Sequence, residues 1–238
     1  MRETTFGGLD VRITGGPDRD GGGDGPVVVL QHGFGAPGDD LVSLWRVLDV
    51  PREVRFVFPA APLTFDTGFG LGRAWWMIDM ERMHRAILSG LLRDLSAEVP
   101  EGLAEAHAKL VAMLDEMQAS LGVTGERTVL GGFSQGAMLS LDVALRTERP
   151  LGALALMSGT LIAEAEWTPL LSRRTGLRVM QSHGSSDPML PFSIAERLRD
   201  LMKDAGMQVD WVPFRGGHEI PPTVVDRLSA LVRLVKSP

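Results

Sequence analysis

Apolar residues along this chain gather into short, unbroken runs that stop at glycine or at turn residues. Residues 27–33 (VVVLQHG), 54–62 (VRFVFPAAP), 128–134 (TVLGGFS), 151–159 (LGALALMSG), 177–184 (LRVMQSHG) and 207–214 (MQVDWVPF) all have this form. Continuous apolar runs of that length fit strands buried on both faces, as in a parallel sheet. Between them the period changes. Residues 100–122 place Leu103, Leu110, Met113, Leu114, Met117 and Leu121 on one side and charged residues on the other, the mark of an amphipathic helix. Shorter helical patterns occupy DDLVSLWRVL, QGAMLSLDVALRT, FSIAERLRDLMKDAG and PPTVVDRLSALVRLVK. Near the start, TTFGGLDVRI (4–13) reads as a hairpin around Gly7-Gly8, and the glycine-rich stretch 15–26 reads as a surface loop. Strand–helix alternation of this kind predicts a single α/β domain over 1–238, a mostly parallel sheet with helices on both faces.

Composition narrows the function classes. The chain has 238 residues, 44% of them hydrophobic and 23% charged, an ordinary balance for a globular protein. Its formal net charge of −6 argues against a nucleic-acid partner, which would call for a basic surface. With no cysteine, disulfides, thiolate metal sites and a cysteine nucleophile drop out. No apolar run reaches membrane-spanning length. The first residues also lack the apolar core of a signal peptide, so the expected compartment is the cytoplasm.

Candidate chemistry centres on Gly132-Phe133-Ser134-Gln135-Gly136, a G-x-S-x-G pattern between a buried-strand run and a helical run. A nucleophile elbow needs that placement: small flanking residues admit a strained serine, and the turn lifts its hydroxyl clear of the sheet. The alternative is a glycine-rich turn with no chemistry. A serine needs a base to take its proton. Two histidines follow it. His183 closes a strand run and precedes the best acid candidate, so it fits poorly; His218 lies in the loop before the last helix. Asp187, in HGSSDPMLP, sits on a loop after a strand, at the edge where open α/β sheets build their sites. An oxyanion hole requires backbone N–H donors, expected from Gln135 and from Phe34. His32 reads as a residue that shapes its turn, and His84 and His107 as surface residues. The histidines show no metal-ligand spacing, and a serine triad needs no metal or organic cofactor.

Taken together, QHGFG, FPAAP, GRAWW, GGFSQGA, HGSSDPMLP and GGHEI resemble the phospholipase/carboxylesterase family of α/β-hydrolases, which includes the acyl-protein thioesterases. The resemblance implies an α/β-hydrolase fold, a catalytic triad of Ser134, Asp187 and His218, and hydrolysis of a small-molecule acyl ester, with thioesters or lysophospholipid-like esters as further substrates. The Met-rich stretch within 66–99, with an extra helical pattern from Met83 to Leu95, reads as a cap segment. Trp75, Trp76, Met77, Met80 and Met83 are its candidates for lining an acyl pocket, because indoles and flexible thioethers suit apolar ligands. Two other readings stay open: a lactone or amide hydrolase with the same triad, and a non-catalytic binding module on a hydrolase scaffold. A homodimer is compatible with any of them.

Overall fold

The computed structural model describes residues 1–68, 70–89 and 94–235, without the side chains at 83, 84, 86, 87 and 89. The readings for Met83 and His84 therefore lie outside the described residues, as does part of the helical pattern expected from Met83 to Leu95. Two strands open the chain, β1 (Arg2–Phe6) and β2 (Leu9–Gly15). The expected hairpin is present: β1 and β2 pair antiparallel, and Gly7 and Gly8 both take positive φ, which a two-residue turn matched to strand twist demands.

The remaining strands of the main sheet are β3 (Val27–Gln31), β4 (Arg55–Pro59), β7 (Thr128–Phe133), β8 (Ala153–Met157), β9 (Arg178–Gly184) and β10 (Gln208–Phe214). Eight strands lie in the order β1-β2-β4-β3-β7-β8-β9-β10. The pairs from β4 through β10 are parallel, and β2 meets β4 antiparallel. This is the α/β-hydrolase fold. The strands carry two cores because successive side chains leave the sheet on opposite faces. Val27, Val29, Leu130, Leu154 and Leu156 pack with helix residues Leu110, Met113, Leu139 and Leu198. Val28, Leu30, Val129, Ala153 and Ala155 join Val224, Leu228 and Leu231 on the other face. Each buried valine or leucine among them contributes about 2 kcal/mol.

The helices are α1 (Met80–Ser89), α2 (Leu103–Leu121), α3 (Gln135–Arg146), α4 (Glu164–Leu171), α5 (Phe192–Asp204) and α6 (Pro222–Arg233). None of the helices among the described residues is long and apolar enough to cross a membrane.

Three expectations differ. DDLVSLWRVL forms only a five-residue 3-10 turn, Val42–Arg46. Its anchors Leu41 and Leu48 are buried, while Val47 points into solvent, too little apolar surface to sustain a longer helix. The run at 207–214 is the edge strand β10, and Val212 is its one buried residue; an edge strand packs through fewer positions than a central one. A small antiparallel pair, β5 (Leu63–Asp66) with β6 (Leu71–Ala74), precedes α1. Both of its strands are too short and too exposed to register as apolar runs.

Candidate active site

Register in the parallel strands brings the ends of β3, β7, β8 and β9 to one level. Gln31 pairs with Gly132, Phe133 with Met157, and Met157 with Ser182. At the end of β7 the chain turns directly into α3, with Ser134 as the hinge at φ 55 and ψ −116. A positive φ is uncommon for a residue with a side chain, and the fold holds it in place. Ser134 N–H donates to Met157 O at 2.8 Å, and Ser134 O accepts from Ala137 N–H at 3.0 Å. The two flanking glycines answer to a close approach of β3. A Cβ at Gly132 would stand 2.5 Å from Gln31 O, and one at Gly136 would stand 2.2 Å from the same oxygen. The spacing G-x-S-x-G is therefore what lets the turn nest against Gln31. α3 runs away from Ser134, so its N-terminal N–H groups and the positive end of its dipole face the site.

Asp187 lies just beyond β9 and His218 in the loop between β10 and α6. Nδ1 of His218 stands 2.6 Å from Asp187 Oδ2. The other carboxylate oxygen accepts from the backbone N–H of Met189 at 2.8 Å and of Leu190 at 3.0 Å. Burial alone would raise the Asp187 pKa. The hydrogen bond and charge of His218, with the Leu190 and Met189 N–H groups, outweigh it and hold the carboxyl below its ordinary value. The loop carrying His218 passes so close to β9 that a Cβ at Gly184 would stand 2.1 Å from Gly217 O.

Ser134 and His218 line one cavity of about 370 Å³, together with Phe34 and Gln135. Its other walls are mainly apolar, with Trp76, Met77, Ile78, Met138 and Ile162 prominent, and Asp79, Glu98 and Glu101 add carboxylates. Among the described residues no group of three or more His, Cys, Asp and Glu is arranged to hold a metal ion.

Several sequence expectations find a different place. Trp75 is 1% exposed and is absent from the described lining of the cavity. Its ring lies 5.8 Å from that of His32, centroid to centroid, and its indole N–H donates to His32 O at 3.1 Å. Trp75 and Trp76 are adjacent at the bend that follows β6 and both are buried, but of the two only Trp76 is among the described residues lining the cavity. Met80, at the start of α1, is exposed and likewise not part of that lining. His107 is not a free surface residue. It pairs through Nδ1 with Asp142 at 2.8 Å, and Asp142 also accepts from Arg146 at 2.6 Å and from Trp167 at 2.8 Å. His32 does shape its turn: Nε2 accepts the Ala61 N–H at 2.9 Å and Nδ1 faces Gly33 O at 2.8 Å. Burial lowers its pKa, in keeping with a neutral ring.

The backbone of Gln135 was expected at the site, but the role of its side chain was not. The Gln135 side chain is buried and spans to the Trp75-Trp76 backbone, its Oε1 accepting from Trp75 N–H at 2.9 Å and its Nε2 donating to Trp76 O at 2.8 Å. The available signal was a long amide placed directly after the serine, at the start of a helix whose first turn is otherwise apolar.

The chain is similar to known proteins over most of its length. Residues 22–236 match the phospholipase/carboxylesterase family. The chain is 29% identical to acyl-protein thioesterase 1 of Gibberella zeae, over 87% of this chain and 88% of that protein. It is 31% identical to acyl-protein thioesterase 1 of Eremothecium gossypii, over 86% of each. The crystal structure of esterase PE8 superposes with a TM-score of 0.78 at 29% identity, covering 96% of this chain and 99% of that one. With a family match over most of its length, the chain belongs to the phospholipase/carboxylesterase family, as a hydrolase of the esterase and thioesterase type.

Proposed function

We propose that the protein cleaves neutral acyl esters and thioesters through an acyl-enzyme, with Ser134 as nucleophile, His218 as base and Asp187 as the group that orients it. The observation that carries this reading is the 2.6 Å contact between Asp187 and His218 Nδ1, on a cavity that also holds Ser134. With Nδ1 engaged, Nε2 is the nitrogen left to take the serine proton. The Ser134 oxygen then attacks the carbonyl carbon, and the N–H groups of Gln135 and Phe34 stabilise the oxyanion. His218 returns the proton to the leaving alcohol or thiol. Water, activated by the same imidazole, releases the acid and restores the serine.

An apolar wall favours the acyl chain, each buried methylene contributing up to about 0.8 kcal/mol. The carboxylates at Asp79, Glu98 and Glu101 disfavour anionic substrates by like charge. In this reading residues 66–99 act as the cap over the acyl group, supported by Trp76, Met77, Ile78, Asp79, Leu95 and Glu98 on the cavity wall. The testing experiment is a panel of esters and thioesters of graded acyl length, with mass-spectrometric mapping of a fluorophosphonate adduct. Turnover with the adduct on Ser134 supports the reading; an unlabelled Ser134 in an active enzyme rules it out.

A further inference from the structure

We infer that the Gln135 side chain is a positioning device that sets acyl-chain selectivity by pinning the cavity wall to the nucleophile elbow. This rests on the esterase reading above and goes beyond it. Four observations carry it. The side chain is 1% exposed. Both ends of its amide are matched, acceptor to the Trp75 N–H at 2.9 Å and donor to the Trp76 carbonyl at 2.8 Å. This is the one amide orientation that satisfies both partners. Trp76, whose carbonyl it holds, lines the cavity with Ser134.

The chemistry follows from those contacts. Gln135 is the first residue of α3, directly after Ser134. Its backbone is tied to the reacting serine, and its side chain is tied to the bend after β6 that presents Trp76. A shift of the segment moves the wall relative to the serine. The buried Trp75 N–H and Trp76 carbonyl would otherwise lack these partners, and a buried polar group without a partner makes its segment relax toward water. The hydrogen bonds of the side chain run to the Trp75-Trp76 backbone and not to Ser134 or His218. Its contribution is the distance between acyl wall and nucleophile, which matters more for long acyl groups than for acetyl.

Two variants test it. Gln135→Met keeps length and removes both hydrogen bonds. Gln135→Glu keeps the acceptor for Trp75 N–H and sets a carboxylate against the Trp76 carbonyl. Both keep the backbone N–H. Steady-state kinetics on p-nitrophenyl esters from acetyl to dodecanoyl separates kcat from KM. The expected result for Gln135→Met is a KM raised about tenfold or more for medium and long chains relative to its own value on acetyl, compared with wild type, whatever common factor acts on kcat at every chain length. Gln135→Glu is expected to shift the chain-length preference in the same direction. Loss uniform over all chain lengths, or an unmoved preference with only a lower melting temperature, overturns the inference. Where Gln135→Met fails to fold, Gln135→Glu decides alone. A wild-type enzyme that neither turns over esters nor takes the fluorophosphonate overturns the esterase reading instead, so the two failures are told apart.

Discussion

Asp187 and His183 face each other at 3.4 Å, Oδ2 to Nε2, with both side chains fully buried. The same oxygen stands 2.6 Å from Nδ1 of His218, so two imidazoles converge on one carboxylate. They are not equivalent. Nε2 of His183 also meets Leu190 O at 3.1 Å, an acceptor that places the ring's proton on that nitrogen. Burial pushes the His183 pKa down, which keeps the ring neutral. His218 belongs to the described cavity lining and His183 does not.

The first prediction separates these histidines. His218→Ala is expected to lower kcat by about 10⁴. His183→Gln should keep kcat within about tenfold of wild type, and lower the melting temperature by about 2–6 °C. Steady-state kinetics and thermal melts on the two variants check this. The reverse pattern would make His183 the base.

Ser134→Ala and Asp187→Asn should each cost about 10⁴ or more in kcat, the second because it disfavours the required tautomer and the imidazolium. Circular dichroism should show the Ser134→Ala fold unchanged. Esterase turnover by Ser134→Ala at the wild-type rate would remove Ser134 from the mechanism.

Gly136→Ala tests the fit of the elbow against β3. A Cβ there would meet Gln31 O at 2.2 Å, and both groups are backbone-anchored. The expected loss of stability is about 1–3 kcal/mol, with a larger fall in activity than in folded fraction. Denaturant unfolding alongside kinetics measures both. An alanine variant as stable and active as wild type would mean that β3 and the elbow separate without penalty.

Adjacent tryptophans should behave differently. Trp75→Ala removes a core side chain and is expected to cost about 3–5 kcal/mol. Trp76→Ala should shift the acyl length at which kcat/KM peaks, and Met80→Ala should leave that peak in place. Ester chain-length profiles and melts on the three variants test the assignment. A peak displaced by Met80→Ala and not by Trp76→Ala would place the acyl wall elsewhere.

Stability should fall at acid pH through Asp187 and Asp142. Both carboxyls have folded pKa values below the ordinary 3.8. For Asp142, burial acts upward, and hydrogen bonds from His107, Arg146 and Trp167 overcome it. Depressed folded values mean that the stabilisation is complete above the unfolded value. It is lost as pH drops from there through the folded values, because the unfolded chain binds protons first. Melts from about pH 5 down to about pH 2 should show the decline, and Asp142→Asn should flatten it while costing about 2 kcal/mol at neutral pH. An Asp142→Asn variant with the wild-type slope would show that this carboxylate does not contribute.

The alternation of apolar runs with amphipathic stretches was enough to read an α/β domain, because strand and helix periods are properties of local sequence. Ser134, Asp187 and His218 could be read as a candidate set, since each falls on a loop following a strand run, and the Asp187–His218 contact is what the tertiary structure adds. Other features depended on which surface a side chain meets, and no local pattern contains that. Trp75 and Trp76 are alike in sequence and both are buried, yet only Trp76 also reaches the cavity wall, while Trp75 packs against His32. His107 has a polar helical neighbourhood, but the packing of α2 on α3 sets it against the buried Asp142. Gln135 looks like one more polar residue of the elbow until the fold brings the Trp75-Trp76 backbone to both ends of its amide. Burial turns such contacts into strong requirements, because a polar group cut off from water must find its partner within the fold. Sequence thus determined the elements and their order; tertiary packing chose the partner of each buried polar side chain, and with it the wall of the cavity.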